Sequence, residues 1–245
     1  MKLYGLIGFP LTHSFSKNYF QQKFEKEGIN DCRFENFELD HINEMQTMLQ
    51  QNPSMQGFAI TIPHKKKILP FLSDSTPDVQ EMQACNCVKI VNGKLYGFNT
   101  DTIGFVQSLQ KHLQPHHKKA LILGSGGAAN AVEFVFRKLR IDFLTVSRNK
   151  SNQSNIVSYD DLDEALMTEH TLIVNATPLG TFPKVDEFPA IPYEFVTSQH
   201  YLFDLVYNPA KTRFLEKGEE QGAAIQNGYD MLTIQAEENW KIWNS

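Results

Sequence analysis

Leu121-Ile122-Leu123-Gly124-Ser125-Gly126-Gly127-Ala128-Ala129 decides the fold: an apolar run opens onto G-x-G-x-x-A, and a stretch with helical apolar spacing follows. A strand that turns sharply on glycine into a helix is the dinucleotide-binding fingerprint. Gly124 permits the tight turn, Gly126 lets a pyrophosphate approach the backbone, and Ala129 allows close helix packing. The anion rests on the unpaired N–H groups of the helix start. Ser125, Gly127 and Ala128 then lie around it. Lys118-Lys119-Ala120 leads into the strand, while Ala128, Ala131, Val132, Val135 and Leu139 recur at helical spacing. A redox dinucleotide is therefore expected. A β-turn-α corner that binds nothing is the alternative.

The next strand, Phe143-Leu144-Thr145-Val146-Ser147, distinguishes two cofactors, because its end lies beside the adenosine ribose. An NAD site would place Asp or Glu there for the ribose 2′-OH. The chain instead continues Ser147-Arg148-Asn149-Lys150, and Asp142 stands at the wrong end of the strand. A guanidinium forks onto a phosphate with charge-assisted bonds, so Arg148 reads as the 2′-phosphate clamp of NADP. A solvated Arg in a polar loop is the competing reading.

Length and composition fit a soluble enzyme: 245 residues, 41% of them hydrophobic, with a formal net charge of −5. That charge offers no field for nucleic acid or an anionic membrane, and no apolar run reaches the length of a span. The start, Met1 to Gly8, reads as a strand and not as a signal peptide, which places the chain in the cytoplasm. Cys32, Cys85 and Cys87 lack C-x-x-C spacing, so reduced thiols are expected and no disulfide or zinc site. The eight histidines show no H-E-x-x-H pattern, no metal is expected, and His116-His117 in a Pro- and Lys-rich connector reads as solvated.

Along the chain, expected strands over Lys2 to Gly8, Arg33 to Glu38, Gly57 to Ile62 and Cys87 to Val91 alternate with amphipathic stretches over Ser16 to Lys26 and Ile42 to Gln50. This is α/β order. A helix is expected from Thr102 to His112. Further strands are expected over Thr171 to Asn175 and Tyr201 to Asp204, before helical stretches that include Met231 to Trp240. A nucleotide-binding domain over 102–227 is thus inserted in a second domain formed by 1–101, with 228–245 returning to it.

Three segments outside the fingerprint carry chemistry. Gly8-Phe9-Pro10-Leu11-Thr12-His13-Ser14-Phe15-Ser16 places hydroxyls at a helix start, where they could hold a carboxylate or simply cap the helix. Gly57 to Lys65 (GFAITIPHK) is a buried-looking strand ending where α/β proteins bind ligands. Lys65 there is a candidate acid or base, or one member of a solvated Lys65-Lys66-Lys67 run. In Gly97-Phe98-Asn99-Thr100-Asp101 the carboxylate of Asp101 would hold Lys65 charged and oriented, or would cap the following helix.

Taken in order, GFPLTHSFS, FAITIPHK, ACN (84–86), GFNTD, GSGGAA, SRN, NATPLG (175–180), DLVYNP (204–209) and GYDMLTIQ (228–235) resemble the shikimate dehydrogenase family over nearly the whole chain. The resemblance implies a Rossmann-type NADP-binding domain and a separate α/β substrate-binding domain with a cleft between them. It implies NADPH-dependent reduction of 3-dehydroshikimate to shikimate, on the route to aromatic amino acids, by a monomer or homodimer. By matched position, Ser14 and Ser16, with Tyr207, bind the carboxylate. Thr61, Asn86, Asp101 and Gln235 hold ring hydroxyls, and Lys65 serves proton transfer. Thr177, Leu205 and Gly228 take the nicotinamide side of the cofactor, while Ser147 and Asn149 flank Arg148 at its other end.

The chain also departs from the family pattern. Ser16-Lys17 and Tyr19-Phe20 stand where Ser-Pro and His-Asn are usual, Ala59 replaces an Asn beside the lysine, and Cys87 replaces a Thr. The segment after Gln235 is short. Two alternatives follow: an NADP-binding sensor without catalysis, or a dehydrogenase of quinate or a related cyclic hydroxy acid.

Overall fold

The computed structural model describes residues 1–11, 15–148 and 155–245, so Ser14 and Asn149 lie outside the described residues. Contacts divide the chain into two units, Met1–Ile103 with Leu232–Ser245, and Gly104–Met231. The first contains β1 (Lys2–Gly8), α1 (Phe15–Glu27), β2 (Cys32–Glu38), α2 (Glu44–Gln51), β3 (Met55–Ile60), β4 (Asp74–Ser75), α3 (Pro77–Met82), β5 (Cys87–Val91) and β6 (Lys94–Phe98). α4 (Asp101–Leu109) leads into the second unit. That unit holds β7 (Lys119–Leu123), α5 (Gly127–Leu139), β8 (Asp142–Ser147), β9 (Ile156–Ser158), α6 (Glu164–Glu169), β10 (Leu172–Asn175), β11 (Tyr201–Asp204), α7 (Arg213–Glu220) and β12 (Ala224–Gln226). α8 (Tyr229–Asn244) returns the chain to the first.

The first sheet has the order β2-β1-β3-β5-β6-β4. β1 runs parallel to β2 and β3, whereas β5 and β6 form an antiparallel hairpin. The period of two in β1 sends Leu3 and Ile7 to one face, with Phe58, Ile60, Met45 and Met48, and Tyr4 and Leu6 to the other. On that second face Phe20, Phe34 and Trp243 pack as an aromatic cluster, with Phe20 stacked on Phe34 at a 4.6 Å centroid distance. Gly57 is required there, because a Cβ would collide with the Trp243 ring, whose Nε1 donates to Val88 O at 3.0 Å.

The second sheet has the order β12-β11-β10-β7-β8-β9, every pairing parallel. Counted from its first strand, β7, this is the doubly wound dinucleotide-binding order, and the switch point lies between β7 and β10. Ala120, Leu121, Ile122 and Leu123 are fully buried, as the central strand of such a sheet must be. α5 buries Ala129, Val132, Val135 and Phe136, while Arg137 and Lys138 face the negative end of the helix dipole.

Several expectations need correction. The strand expected to reach Ile62 ends at Ile60, since Thr61 begins a turn closed by the His64 N–H donating to Thr61 O at 3.0 Å. Ala128 is exposed, the apolar face of α5 being set by Ala129 and its partners. His117 is buried and not solvated: its Nδ1 accepts from Gln114 N at 2.9 Å and its Nε2 donates to Gln199 O at 3.2 Å. The sequence reading also passed over β6, although Asn92-Gly93, both at positive φ, is a two-residue hairpin signal. Among the described residues no helix is long and apolar enough to cross a membrane.

Candidate active site

The first sheet has its own switch point, between β1 and β3, and Ser16 follows β1 in the chain while Thr61 and Lys65 follow β3. Past those ends the two chains stay paired, with Phe9 N donating to Ile62 O at 3.0 Å. The β1 loop is braced by Leu11 N donating to Glu38 Oε1 at 2.7 Å. Ser16 is partly buried inside α1, which begins at Phe15, so it is not the cap.

Beyond β3 the chain turns, and buried His64 anchors the turn by donating from Nε2 to Leu39 O at 2.6 Å. Cys85 N donates to Lys65 O at 2.9 Å, fixing the lysine backbone from the other side. Lys65 Nζ then donates to Asp101 Oδ2 at 2.7 Å, with the two side chains 35% and 18% exposed. Lys66 and Lys67 are exposed, so the three lysines are not one solvated run. Asp101 is the first residue of α4 and spends its carboxylate on Lys65. This gives a half-buried ammonium held in place by a carboxylate, open enough to meet a ligand oxygen.

A second set of polar groups lies in the same unit and connects two of the expected substrate residues. Asn86 Oδ1 accepts from Thr100 N at 2.7 Å, and Asn86 Nδ2 donates to Thr100 Oγ1 at 3.1 Å. The Thr100 hydroxyl passes its proton toward Asn239 Oδ1 at 2.7 Å. Asn239 Nδ2 donates to Gln235 Oε1 at 3.3 Å, and Gln235 Nε2 to Leu232 O at 3.1 Å. Asn86, Thr100, Gln235 and Asn239 are all buried. An amide has two N–H donors, and the bond to Thr100 uses one of those on Asn86. The sequence reading missed Thr100 and Asn239. The available signal was the i, i+4 spacing of Gln235 and Asn239 on one helix face.

In the second unit Gly124 follows β7 at φ +105°, a conformation that favours glycine, and donates from its N–H to Val146 O at 2.8 Å. Gly126 is the N-cap of α5 and provides no side-chain cap, and a Cβ on Gly126 or Gly127 would meet nothing within 4 Å. Bare helix-start N–H groups facing open space fit a pyrophosphate. Ser125, Gly127 and Ala128 are exposed around this turn. On the adjoining strand Ser147 closes β8 and Arg148 follows it, exposed, where a 2′-phosphate can be reached. Thr177, Leu205 and Gly228 follow the ends of β10, β11 and β12. Tyr207 belongs to this unit and is partly buried, which pushes its phenol pKa up.

Beneath those loops lies Asp204, fully buried, a residue that the sequence reading quoted within a motif without giving it a role. Its burial raises the carboxyl pKa to about 6 in spite of hydrogen bonds from Thr212, Val206 and Asn175. No cluster of His, Cys, Asp or Glu suited to a metal occurs among the described residues. The cysteines are free, and burial pushes the Cys85 thiol up to about 11, leaving it unreactive.

Residues 6–88 match the family model described as the shikimate dehydrogenase substrate binding domain. The chain is 34% identical to the shikimate dehydrogenase (NADP(+)) of Desulforamulus reducens, covering 98% of this chain and 88% of that one. This chain belongs to the shikimate dehydrogenase family. Among solved structures, a shikimate dehydrogenase in complex with NADP+ is 30% identical with a TM-score of 0.85, over 99% of this chain and 90% of its own. The shikimate 5-dehydrogenase from Thermus thermophilus, solved with NADP(H) and shikimate, is 29% identical with a TM-score of 0.84, over 99% and 93%. As in the rest of the shikimate dehydrogenase family, the architecture is α/β, with a Rossmann-type unit and a second α/β unit.

Against the family pattern, the two substitutions Ala59 and Cys87 are cross-strand partners in the β3–β5 register. Both are buried and pack with Leu6, Leu11 and Phe20. Where the sequence resemblance leads one to expect a polar pair, the structure holds a buried apolar pair.

Proposed function

We propose that this protein catalyses the reversible NADPH-dependent reduction of the ring ketone of 3-dehydroshikimate to shikimate, in the cytoplasm, as a step toward aromatic amino acids. It acts as a monomer or homodimer on a small-molecule substrate, without nucleic acid or membrane. The observation that carries this reading is the Lys65–Asp101 ion pair of 2.7 Å, formed by residues that follow β3 and β6 of the first sheet. The residues 1–101 and 228–245 make the substrate domain, and 102–227 the cofactor domain.

NADPH, when bound, supplies the hydride. Reduction of a carbonyl leaves negative charge on its oxygen, and an adjacent ammonium both stabilises that charge and can donate the proton. Lys65 is that ammonium, and Asp101 orients it and receives a ring hydroxyl. In the opposite direction the neutral amine of Lys65, the form left after proton donation, takes the hydroxyl proton. Ser14 and Ser16, with Tyr207, hold the substrate carboxylate, while Thr61, Asn86 and Gln235 hold ring hydroxyls. The buried chain from Asn86 to Gln235 keeps both amides in fixed orientations. The cofactor phosphates fall to Gly124, Ser125, Gly126, Gly127 and Ala128, the 2′-phosphate to Arg148 between Ser147 and Asn149, and the nicotinamide side to Thr177, Leu205 and Gly228.

One observation favours a second reading. The buried apolar Ala59–Cys87 pair stands where the resemblance leads one to expect Asn and Thr, and this departure keeps a dehydrogenase of quinate or a related cyclic hydroxy acid as that second reading. Initial rates with shikimate and quinate, each with NADP+ and NAD+, test both. Shikimate with NADP+ should be fastest; a larger kcat/KM for quinate would transfer the assignment to the second reading, and no turnover would leave only a binding role.

A further inference from the structure

Asp204 closes β11 and Asn175 closes β10, and the two are register partners in the parallel sheet. Both are fully buried. Asp204 Oδ1 accepts from Asn175 Nδ2 at 3.0 Å and from Val206 N at 3.0 Å, and Oδ2 accepts from Thr212 Oγ1 at 2.5 Å. From this carboxylate the bonds continue into three loops. Asn175 Oδ1 accepts from Thr177 N at 3.0 Å and Thr177 Oγ1 at 2.6 Å. Leu205 N donates to Asn175 O at 3.0 Å. Gly228 N donates to Val206 O at 3.1 Å, and a Cβ on Gly228 would collide with Leu205 O.

Burying a carboxylate is costly, and a buried apolar residue would fill the same volume at less expense. What the carboxylate adds is several acceptor sites, which tie the backbone after β10, the backbone after β11 and the N-cap of α7 to one point. We propose that Asp204 is a positioning residue that sets the placement of Thr177, Leu205 and Gly228, and through them of the nicotinamide, without touching the cofactor. This rests on the NADP-dependent reading above. Thr177 Cγ2 also lies 2.9 Å from where a Cβ on Gly124 would stand, so a shift of Thr177 would be felt at the phosphate turn.

The test compares wild type, Asp204→Asn and Asn175→Ala, the last severing the branch to Thr177 and serving if Asp204→Asn does not fold. Binding of adenosine 2′,5′-bisphosphate, which lacks the nicotinamide, is measured by calorimetry, and the emission of bound NADPH reports the nicotinamide surroundings. The expected result is bisphosphate affinity within about twofold of wild type, an altered NADPH emission, and kcat lower by about ten- to a hundredfold, the usual effect of a displacement near 1 Å, with little change in the KM for NADP. Wild-type NADPH emission and kcat in both folded variants would overturn the proposal, as would a parallel loss of bisphosphate and NADPH affinity, which signals general loosening. Wild-type protein that binds neither ligand would instead overturn the NADP reading on which the proposal rests.

Discussion

Replacing Lys65 by Ala separates catalysis from stability. The Lys65 Nζ to Asp101 Oδ2 distance is 2.7 Å, but the side chains are 35% and 18% exposed, so water screens the pair. Ion pairs of this kind contribute about 0 to 1 kcal/mol to folding. Asp101 keeps contact with water after the substitution, which avoids the larger cost of an isolated buried charge. The melting temperature should therefore fall by no more than about 4 °C. Loss of a positioned proton donor, in contrast, lowers turnover by about 10²- to 10⁴-fold, or roughly 3 to 5 kcal/mol of barrier. The assay is NADPH absorbance in steady-state shikimate oxidation, beside thermal unfolding and NADP binding on the same samples. Activity within a few-fold of wild type in a folded variant would remove Lys65 from the mechanism.

Arg148→Ala should weaken NADP by roughly ten- to a hundredfold, the worth of a charge-assisted pair, and leave NAD nearly unchanged; equal losses for both cofactors would contradict the 2′-phosphate role. Ala59→Asn alone buries an amide among Leu6, Leu11 and Phe20 and should lower stability by about 1 to 3 kcal/mol, and adding its register partner change Cys87→Thr should recover part of that loss. A double-mutant cycle by denaturant unfolding measures the coupling, and strict additivity would mean that the two positions act independently. His117 and His200 have lowered pKa values through burial, and each ring accepts a backbone N–H at Nδ1, from Gln114 and Thr197. The unfolded chain binds those protons first, so this stability is complete above the ordinary value of 6.5 and is lost as pH falls below it. Asp204 acts in the opposite sense, since its raised value of about 6 favours the folded form as pH falls from there toward 3.8. Denaturant unfolding over about pH 5 to 7 should accordingly show a shallower acid loss in His117→Gln/His200→Gln than in wild type, and parallel curves would rule out the histidines as its source.

Much of this fold was legible because its signals are local. Gly124 to Ala129 specified a turn and a helix start that only a few residue types satisfy, and the positive charge after Ser147 could be read without knowing the packing. Lys65 and Asp101 were readable as candidates, but their meeting depends on a turn anchored by His64 to Leu39, a contact between distant strands that no spacing encodes. The same holds for Asp204 and for the chain through Thr100 and Asn239, whose polar side chains read as surface in the sequence and are buried in the fold. His117 failed for the same reason: its Pro- and Lys-rich neighbourhood looks solvated, while Gln199, far along the chain, covers it.

The central claim, a hydride delivered to a ring ketone beside Lys65, is tested most directly by label transfer. NADPH carrying deuterium at both C4 positions is incubated with 3-dehydroshikimate and the protein, and the product is analysed by mass spectrometry. The account predicts shikimate with a single deuterium on the newly reduced carbon, formed by wild type and slowed by about 10²- to 10⁴-fold in Lys65→Ala. Shikimate without deuterium, or no reduction of 3-dehydroshikimate by folded protein that binds NADPH, would contradict it.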